Sequence, residues 1–171
     1  MNEDGRSRIV TIPGFRSAAL GNERAIHVCL PPGYDAAGSR RYPVLYVHDG
    51  QNVFAPAFNG QCWNLHRTCD RLIAEGRIEP LLIVAVENAG ADRSAEFAHA
   101  GPHAGRLDYE CRGESYERFL IEEVKPTIDR LFLTKPGPDD TGLMGSSRGG
   151  LVTYHIGFRR PDVFRKLPML S

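Results

Sequence analysis

The sequence contains no apolar run that is long enough to cross a membrane. Its longest uninterrupted apolar stretch, from Leu81 to Val86, is far shorter than the ~20 residues that a membrane-spanning helix requires. The amino terminus, MNEDGRSRIV, also lacks the apolar segment of a secretory signal peptide. These features exclude a membrane-embedded class and predict a cytoplasmic protein with no membrane partner.

An excess of charge of either sign is absent as well. The 171 residues include 21 Lys and Arg and 21 Asp and Glu, so the formal net charge is zero. No basic tract stands out, whereas nucleic-acid binding depends on clustered Lys and Arg that contact phosphates. We therefore expect no nucleic-acid partner and a small molecule as the ligand.

Cysteine is scarce. The four cysteines, Cys29, Cys62, Cys69 and Cys111, form no CxxC pair. Structural zinc sites and disulfide frameworks usually bring their cysteines closer together in sequence. We therefore expect four free thiols, as is usual in a reducing compartment, and neither a metal nor another cofactor.

The composition is that of a folded domain. Hydrophobic residues make up 42% and charged residues 25%, as in soluble globular proteins rather than disordered chains. Residues 1–171 are therefore interpreted as one domain. Turn signals and apolar runs predict two strands within 6–30 and further strands at 42–47, 80–86, 141–144 and 166–171, alternating with helices at 64–76, 115–133 and 149–158.

This alternation predicts an α/β fold with a mostly parallel sheet and flanking helices. The nearly continuous apolar runs at 42–47 and 80–86 are typical of strands that are buried on both faces of a parallel sheet. In the longest helix, Pro126 predicts a kink, because proline lacks the N–H that a helix interior uses. One face of that helix is predicted to be buried and to consist of Phe119, Leu120, Val124, Ile128 and Leu131.

The segment 145–149, Gly-Ser-Ser-Arg-Gly, matches the pattern G-x-S-x-G in one register, which centres Ser147. In this pattern the serine occupies a sharp strand-to-helix turn, the nucleophile elbow, which lifts its Oγ clear of the sheet. The predicted strand before the motif and the predicted helix after it provide the context that an elbow requires. The alternative is an ordinary Gly-Ser turn. The elbow interpretation makes Ser147 the candidate nucleophile and the backbone N–H of Arg148, at a helix N-terminus, a candidate oxyanion donor.

A second candidate segment, His48-Asp49-Gly50-Gln51, directly follows the strand predicted at 42–47. In the fold that carries the elbow, the loop after this strand supplies the second oxyanion N–H. Gly50 lets the backbone approach the substrate. His48 and Asp49 are not expected to act as a catalytic pair, because neighbours on an extended segment point in opposite directions.

These motifs occur in an order that resembles the putative-esterase family of α/β-hydrolases, which includes enterochelin-esterase-like proteins, esterase D, feruloyl esterases and mycolyltransferases. The resemblance runs from about residue 20 to the end of the chain. The segments that carry it are HDGQNVF at 48–54, Trp63, VEN at 86–88, RSAEF at 93–97 and GSSRGG at 145–150, with CLPPGYD at 29–35 and YERFLIEEVKPTID at 116–129.

The resemblance implies an α/β-hydrolase fold and a serine carboxylic-ester hydrolase that acts through an acyl-enzyme on Ser147. It implies an oxyanion hole formed by the backbone N–H groups of Gln51 and Arg148. The family pattern R-x-x-E matches Arg93 and Glu96, which are expected to be structural or to lie near the substrate. His48, Asp49, Gly50, Arg93 and Glu96 are therefore candidates for lining the site. At Arg148 the family more often has a small or apolar residue, so an anionic group on the substrate is conceivable.

The remainder of the triad is expected to be missing. In this fold the order along the chain is Ser, then Asp or Glu, then His, and only one helix and one strand are predicted after Ser147. His155 is interpreted as a core or supporting residue, and His99 and His103 are the histidines that could approach Ser147. We therefore predict a C-terminally truncated domain that is nearly inactive and that is marginally stable, self-associates through an exposed sheet edge or depends on a partner.

Two alternatives to the hydrolase stay open. One is a catalytically dead relic or binding module on the same fold, against which a downstream segment containing histidine would argue. The other is an acyltransferase that uses an alcohol acceptor in place of water. A comparison of hydrolysis with transfer on one ester would separate this second alternative from the hydrolase.

Overall fold

A six-stranded sheet forms the centre of the computed structural model, which describes residues 6–57, 60–101 and 104–171. The strands are β1 (Arg8–Ser17), β2 (Asn22–Leu30), β3 (Val44–Val47), β4 (Leu82–Val86), β5 (Thr141–Ser146) and β6 (Met169–Leu170). Their order across the sheet is β1-β2-β4-β3-β5-β6. β1, β2 and β4 pair in antiparallel fashion, whereas β4, β3, β5 and β6 are parallel. The predicted α/β fold with a mostly parallel sheet is confirmed.

Helices cover both faces of this sheet. They are α1 (Leu65–Ala74), α2 (Arg93–Glu96), α3 (Gly113–Arg118), a π-helical segment (Phe119–Val124), α4 (Lys125–Leu131) and α5 (Arg148–Arg159). On one face, Cys69 of α1 packs with Val47 and Ile83. On the other face, side chains from the α3–α4 region and from α5, such as Phe119 and Ile156, share one core with the strands.

The central strands bring the loops that follow them to one edge of the sheet. Every residue of β4 is buried, as the apolar run at 80–86 predicts for a strand covered on both faces. Val47 is paired with Ala85 and with Met144, so β3, β4 and β5 end at nearly the same level. Because these three strands are parallel, the loops that follow them meet at one edge of the sheet.

The prediction of one long helix over 115–133 is wrong in two respects. The helical region is interrupted at 119–124 by a π-helical segment, in which the Lys125 N–H donates to the carbonyl of Leu120. This segment immediately precedes Pro126, whose missing N–H disturbs the normal hydrogen-bond ladder. Leu131, expected on the buried face, is 53% exposed. It is the last residue of α4, and the extended residue Phe132 then turns back towards the core.

Cys29, Cys62, Cys69 and Cys111 are all free thiols, as their spacing in the sequence predicts. Burial raises the pKa of Cys29 to about 11 and also raises the pKa of Cys69. Within the three described ranges, no helix has the combination of length and apolarity that a bilayer crossing requires.

Candidate active site

Ser147 occupies the turn between β5 and α5 in an unusual backbone conformation. Its φ is 54° and its ψ is −121°, a region that residues other than glycine rarely adopt. The Ser147 N–H donates to the carbonyl of Leu170 at 2.9 Å, which fixes the turn against the last strand. The Ser147 side chain is exposed at the carboxyl edge of the sheet.

Glycines allow this turn to be so tight. A Cβ on Gly145 would lie 2.4 Å from the backbone carbon and oxygen of Gly149, far inside van der Waals contact. A Cβ on Gly150 would lie 2.8 Å from the carbonyl oxygen of Leu170. Gly145, and Gly150 just after the motif, are therefore required because β5, α5 and β6 approach one another through their backbones.

The loop after β3 lies beside this turn. Asp49 adopts a left-handed conformation with φ 58°, and a 3-10 turn follows at Gly50–Asn52. A Cβ on Gly50 would lie 2.7 Å from the backbone carbon of Val86, so glycine is needed where the loop crosses the end of β4. The loop comes close to the start of α5, two residues after Ser147, since a Cβ on Gly149 would lie 3.2 Å from Asp49 Oδ2.

Polar side chains join the loops after β3 and β4. The Gln51 side chain donates from Nε2 to the Asn88 carbonyl at 2.9 Å and accepts the Asn88 N–H at 3.1 Å. Asn88 Nδ2 donates to Asp49 Oδ1 at 2.7 Å. Arg93 donates to both oxygens of Asp49, at 2.6 Å from Nε and 2.9 Å from Nη2. The charge of Asp49 is therefore balanced by Arg93, and their hydrogen bond raises the pKa of Arg93.

His48 and Asp49 have separate partners, although they are adjacent in sequence. The His48 side chain is buried against the rings of Phe97 and Tyr116, with Nδ1 2.9 Å from the Tyr116 hydroxyl oxygen. Its Nε2 has no hydrogen-bond partner among the described residues. His48 is therefore buried beside the turn at Ser147 and does not line the cleft.

Glu96 is fully buried away from Ser147. Its carboxylate accepts two hydrogen bonds of 2.8 Å from Arg24 and one of 2.9 Å from Asn22. This contact connects α2 to β2. Arg93, by contrast, lies one helical turn earlier and lines the cleft, so the two residues of the R-x-x-E segment have different surroundings.

A cleft of about 470 Å³ opens at Ser147. Its lining includes Ser146, Ser147, Asp49, Asn52, Trp63 and Arg93. Asn52, Trp63 and Asn88 were not predicted as site residues, although they lie in segments that resemble the family. Their place in or near the segments HDGQ and RSAEF could have identified them as neighbours of the site, but it does not indicate a role for them.

None of the histidines in the described ranges contacts Ser147. His99 stacks on His155 with ring centroids 4.9 Å apart, and its Nε2 lies 3.5 Å from Glu117 Oε2. His27 lies beside Thr11 and Glu87, and His66 packs on Phe54. His103 lies outside the described residues.

The buried position of His48 predicts a dependence of stability on pH. Burial lowers its pKa from 6.5 to about 4, while smaller effects come from Asp49, which raises the pKa, and from Arg93, which lowers it. Between pH 6.5 and 4 the unfolded chain therefore binds a proton at His48 that the folded chain does not. We expect the free energy of unfolding to fall by about 3 kcal/mol from this group as the pH is lowered across that window.

Urea denaturation at pH 7.5 and pH 4.5 measures this effect. The His48→Gln variant, which cannot titrate but can still bond to Tyr116, should lose less stability than the wild type between the two pH values. His66 and His99, whose pKa values are also lowered by burial, contribute equally to the two proteins. An unchanged slope in His48→Gln would contradict the prediction.

The site and the fold together agree with comparisons to known proteins. Residues 17–171 match the family described as Putative esterase. The chain belongs to this esterase family. Among curated proteins, this family member is 33% identical over 162 residues to an endo-1,4-beta-xylanase/feruloyl esterase of Xylanibacter ruminicola, and 24% identical over 159 residues to the uncharacterized protein YbbA of Bacillus subtilis.

The alignments cover 92% of this esterase-family chain in both cases but only 20% of the first relative and 60% of the second. The chain thus spans less than two thirds of the length of either relative. Among solved structures, a ferulic acid esterase from Anaeromyces mucronatus superimposes with a TM-score of 0.70 at 23% identity, covering 98% of this chain and 59% of the other. The enterobactin esterase of Shigella flexneri superimposes with a TM-score of 0.69 at 16% identity, covering 92% of this chain and 34% of the other. These likenesses confirm the α/β-hydrolase fold.

Proposed function

We propose that this esterase-family chain carries the nucleophile and the oxyanion hole of a serine carboxylic-ester hydrolase. The observation that carries the proposal is the positive φ of Ser147 at the β5–α5 turn, which presents its hydroxyl to the cleft. In the reaction, Ser147 Oγ bonds to the ester carbonyl carbon and gives its proton to a base. The alcohol then leaves with a proton, and water hydrolyses the acyl-enzyme to release the acid.

Two backbone N–H groups are suited to hold the negative oxygen of the tetrahedral intermediate. Arg148 is the first residue of α5 and Gln51 is the second residue of the 3-10 turn after β3. N–H groups at these positions have no carbonyl partner within their own helix or turn. The hydrogen bonds from Gln51 to Asn88 and from Arg93 to Asp49 hold the second donor's loop in place, which favours a preformed oxyanion hole.

An aromatic acyl ester is the substrate class that we favour. Trp63 lines the cleft beside Ser147 and offers a flat apolar surface. The curated relative with 33% identity is named as a feruloyl esterase. A hydroxycinnamoyl or related aryl ester therefore agrees with both observations.

The general base is the missing part of the proposal. The described histidines are held by other partners, and a serine hydroxyl without a base is a weak nucleophile. We therefore expect the 171-residue chain to hydrolyse p-nitrophenyl esters no faster than its Ser147→Ala variant. Added imidazole can supply the absent base, so it should accelerate reaction at Ser147.

Labelling with a fluorophosphonate probe, mapped by mass spectrometry, tests this proposal. Wild-type chain should be labelled at Ser147 at a rate that rises with imidazole concentration, and Ser147→Ala should not be labelled at the elbow. The matched control is Ser146→Ala, which removes the neighbouring hydroxyl and should keep the label. Labelling at Ser146, or labelling that survives Ser147→Ala, would refute the nucleophile assignment. Ser147-dependent turnover without imidazole would show that a histidine of this chain completes the site.

Self-association is a second expectation, and it rests on an exposed apolar surface. Leu151, Tyr154 and Phe158 form one stripe along α5, with exposures of 51%, 49% and 65%. Met169 and Leu170 of β6 are each 45% exposed, and β6 pairs only with β5 within the described chain. An apolar patch next to an open strand edge favours association.

Sedimentation velocity at several protein concentrations measures this association. We expect the wild-type chain to form dimers or larger species, because the α5 stripe is removed from water when two copies meet. Phe158→Arg should shift the distribution towards monomer. Leu131→Arg is the matched control, since Leu131 is 53% exposed but stands apart on α4. A concentration-independent monomer in the wild type would contradict the expectation.

A further inference from the structure

The side chain of Arg148 is held in place by a tyrosine. Arg148 follows the nucleophile directly and is exposed. Its Nη1 donates to the hydroxyl oxygen of Tyr109 at 2.7 Å, and its guanidinium carbon lies 5.8 Å from the centre of the Tyr109 ring. A hydrogen bond and a cation–π contact together restrict a side chain that otherwise has several rotamers.

The charge of Arg148 is not balanced within the described chain. Its one hydrogen bond there goes to a neutral hydroxyl, and it forms no ion pair with a described carboxylate. Two other arginines differ in this respect, because Arg93 is paired with Asp49 and Arg24 with Glu96. Arg148 is therefore a fixed and uncompensated positive charge next to Ser147.

One side of the Arg148 guanidinium is left available for a ligand. Because Tyr109 occupies Nη1, the donors on Nε and Nη2 have no protein partner among the described residues. These two groups form the side of a guanidinium that binds both oxygens of a carboxylate in parallel. Lysine could not present such a planar pair of donors.

We propose that Arg148 is a specificity-determining residue that binds an ionised carboxylate on the ester substrate. The inference rests on the proposed function, in which the ester carbonyl lies at Ser147, so the carboxylate would lie within one arginine side chain of the reacting bond. The preferred substrates are then esters that carry a second, free carboxylate on the acyl or the alcohol part.

Ligand binding measured by the fluorescence of Trp63 tests this inference without requiring turnover. Trp63 is the one tryptophan of the sequence, and it lines the cleft. All proteins carry Ser147→Ala, which prevents acylation. Two matched pairs of ligands are titrated: 4-acetoxybenzoate against its methyl ester, and monomethyl terephthalate against dimethyl terephthalate. The pairs place the carboxylate on the alcohol side and on the acyl side, respectively.

We expect at least one acid to bind about fivefold to tenfold more tightly than its neutral ester, as a solvent-exposed but bidentate charge pair allows. Arg148→Gln should abolish this preference, and Tyr109→Phe should reduce it. The control Arg40→Gln should retain it. Arg40 also rests on a tyrosine ring, 5.1 Å from the centre of Tyr42, but it precedes β3 and so lies at the opposite edge of the sheet.

The inference is overturned if neither acid is preferred, if Trp63 does not respond to either acid, or if Arg148→Gln keeps the preference. These results are independent of the labelling test. Labelling of Ser147 without any preference for acids would refute the role of Arg148 and leave the esterase proposal standing. A carboxylate preference without labelling would support the role of Arg148 and refute the assignment of Ser147 as the nucleophile.

Discussion

Glu96→Ala is expected to lower the free energy of unfolding by about 3–5 kcal/mol, because it leaves a buried charge without its partner. The side chains of Arg24 and Glu96 are 2% and 0% exposed. After the substitution, the Arg24 guanidinium would keep the contact with Asn22 and with the carbonyl of Glu87 but lose both carboxylate oxygens. Urea denaturation at neutral pH measures the difference.

The matched control lies in the same β1–β2 hairpin. Arg16 and Glu23 form an ion pair of 3.3 Å whose side chains are 88% and 60% exposed. Glu23→Ala should therefore cost less than about 1 kcal/mol. The double variant Arg24→Met, Glu96→Leu should recover much of the loss, since it removes both charges together. A loss in Glu96→Ala no larger than that in Glu23→Ala would show that the buried pair is not a structural requirement.

Gly145→Ala is expected to slow the imidazole-dependent labelling of Ser147 by about 100-fold, the order of loss that a misplacement of 1 Å produces. The new Cβ would lie 2.4 Å from the backbone of Gly149, so β5 and α5 must separate and the Ser147 turn must open. Overpacking of this kind also lowers stability, by about 1–3 kcal/mol. Labelling kinetics and urea denaturation measure the two effects separately.

Gly137→Ala is the control for this variant. A Cβ at Gly137 meets no atom within 4 Å, and its φ of −70° suits any residue. Its labelling rate and stability should be close to those of the wild type. If Gly145→Ala labels as fast as Gly137→Ala, the turn tolerates a side chain and the steric account of the motif is wrong.

The parallel core of the fold could be predicted because burial on both faces produces a local pattern. The continuous apolar runs identified β3 and β4, and the turn residues around them set their ends to within two residues. The π-helical segment before Pro126 could not be predicted in this way. Its position depends on how the α3–α4 region packs on the sheet, and a proline alone indicates a disturbance without fixing its form.

The candidate site likewise has features that the sequence predicts and features that it does not. The position of Ser147 at a tight turn follows from a five-residue motif, because the glycines that the turn requires lie next to it in the sequence. The contact between Asp49 and Arg93 joins residues that are 44 positions apart, and it depends on the left-handed conformation of Asp49, which the sequence does not reveal. The uncompensated charge of Arg148 likewise becomes visible only when its surroundings are known.

The positive φ of Ser147 means that the residue best suited to stability at this position differs from the residue that the proposed reaction needs. A residue other than glycine in a sparsely populated backbone region costs about 1–3 kcal/mol, and glycine would adopt the same φ of 54° with little strain. Selection for thermal tolerance alone would therefore favour Ser147→Gly. A descendant of this chain that no longer needed the hydroxyl would have a route to higher stability that begins with the loss of the proposed nucleophile.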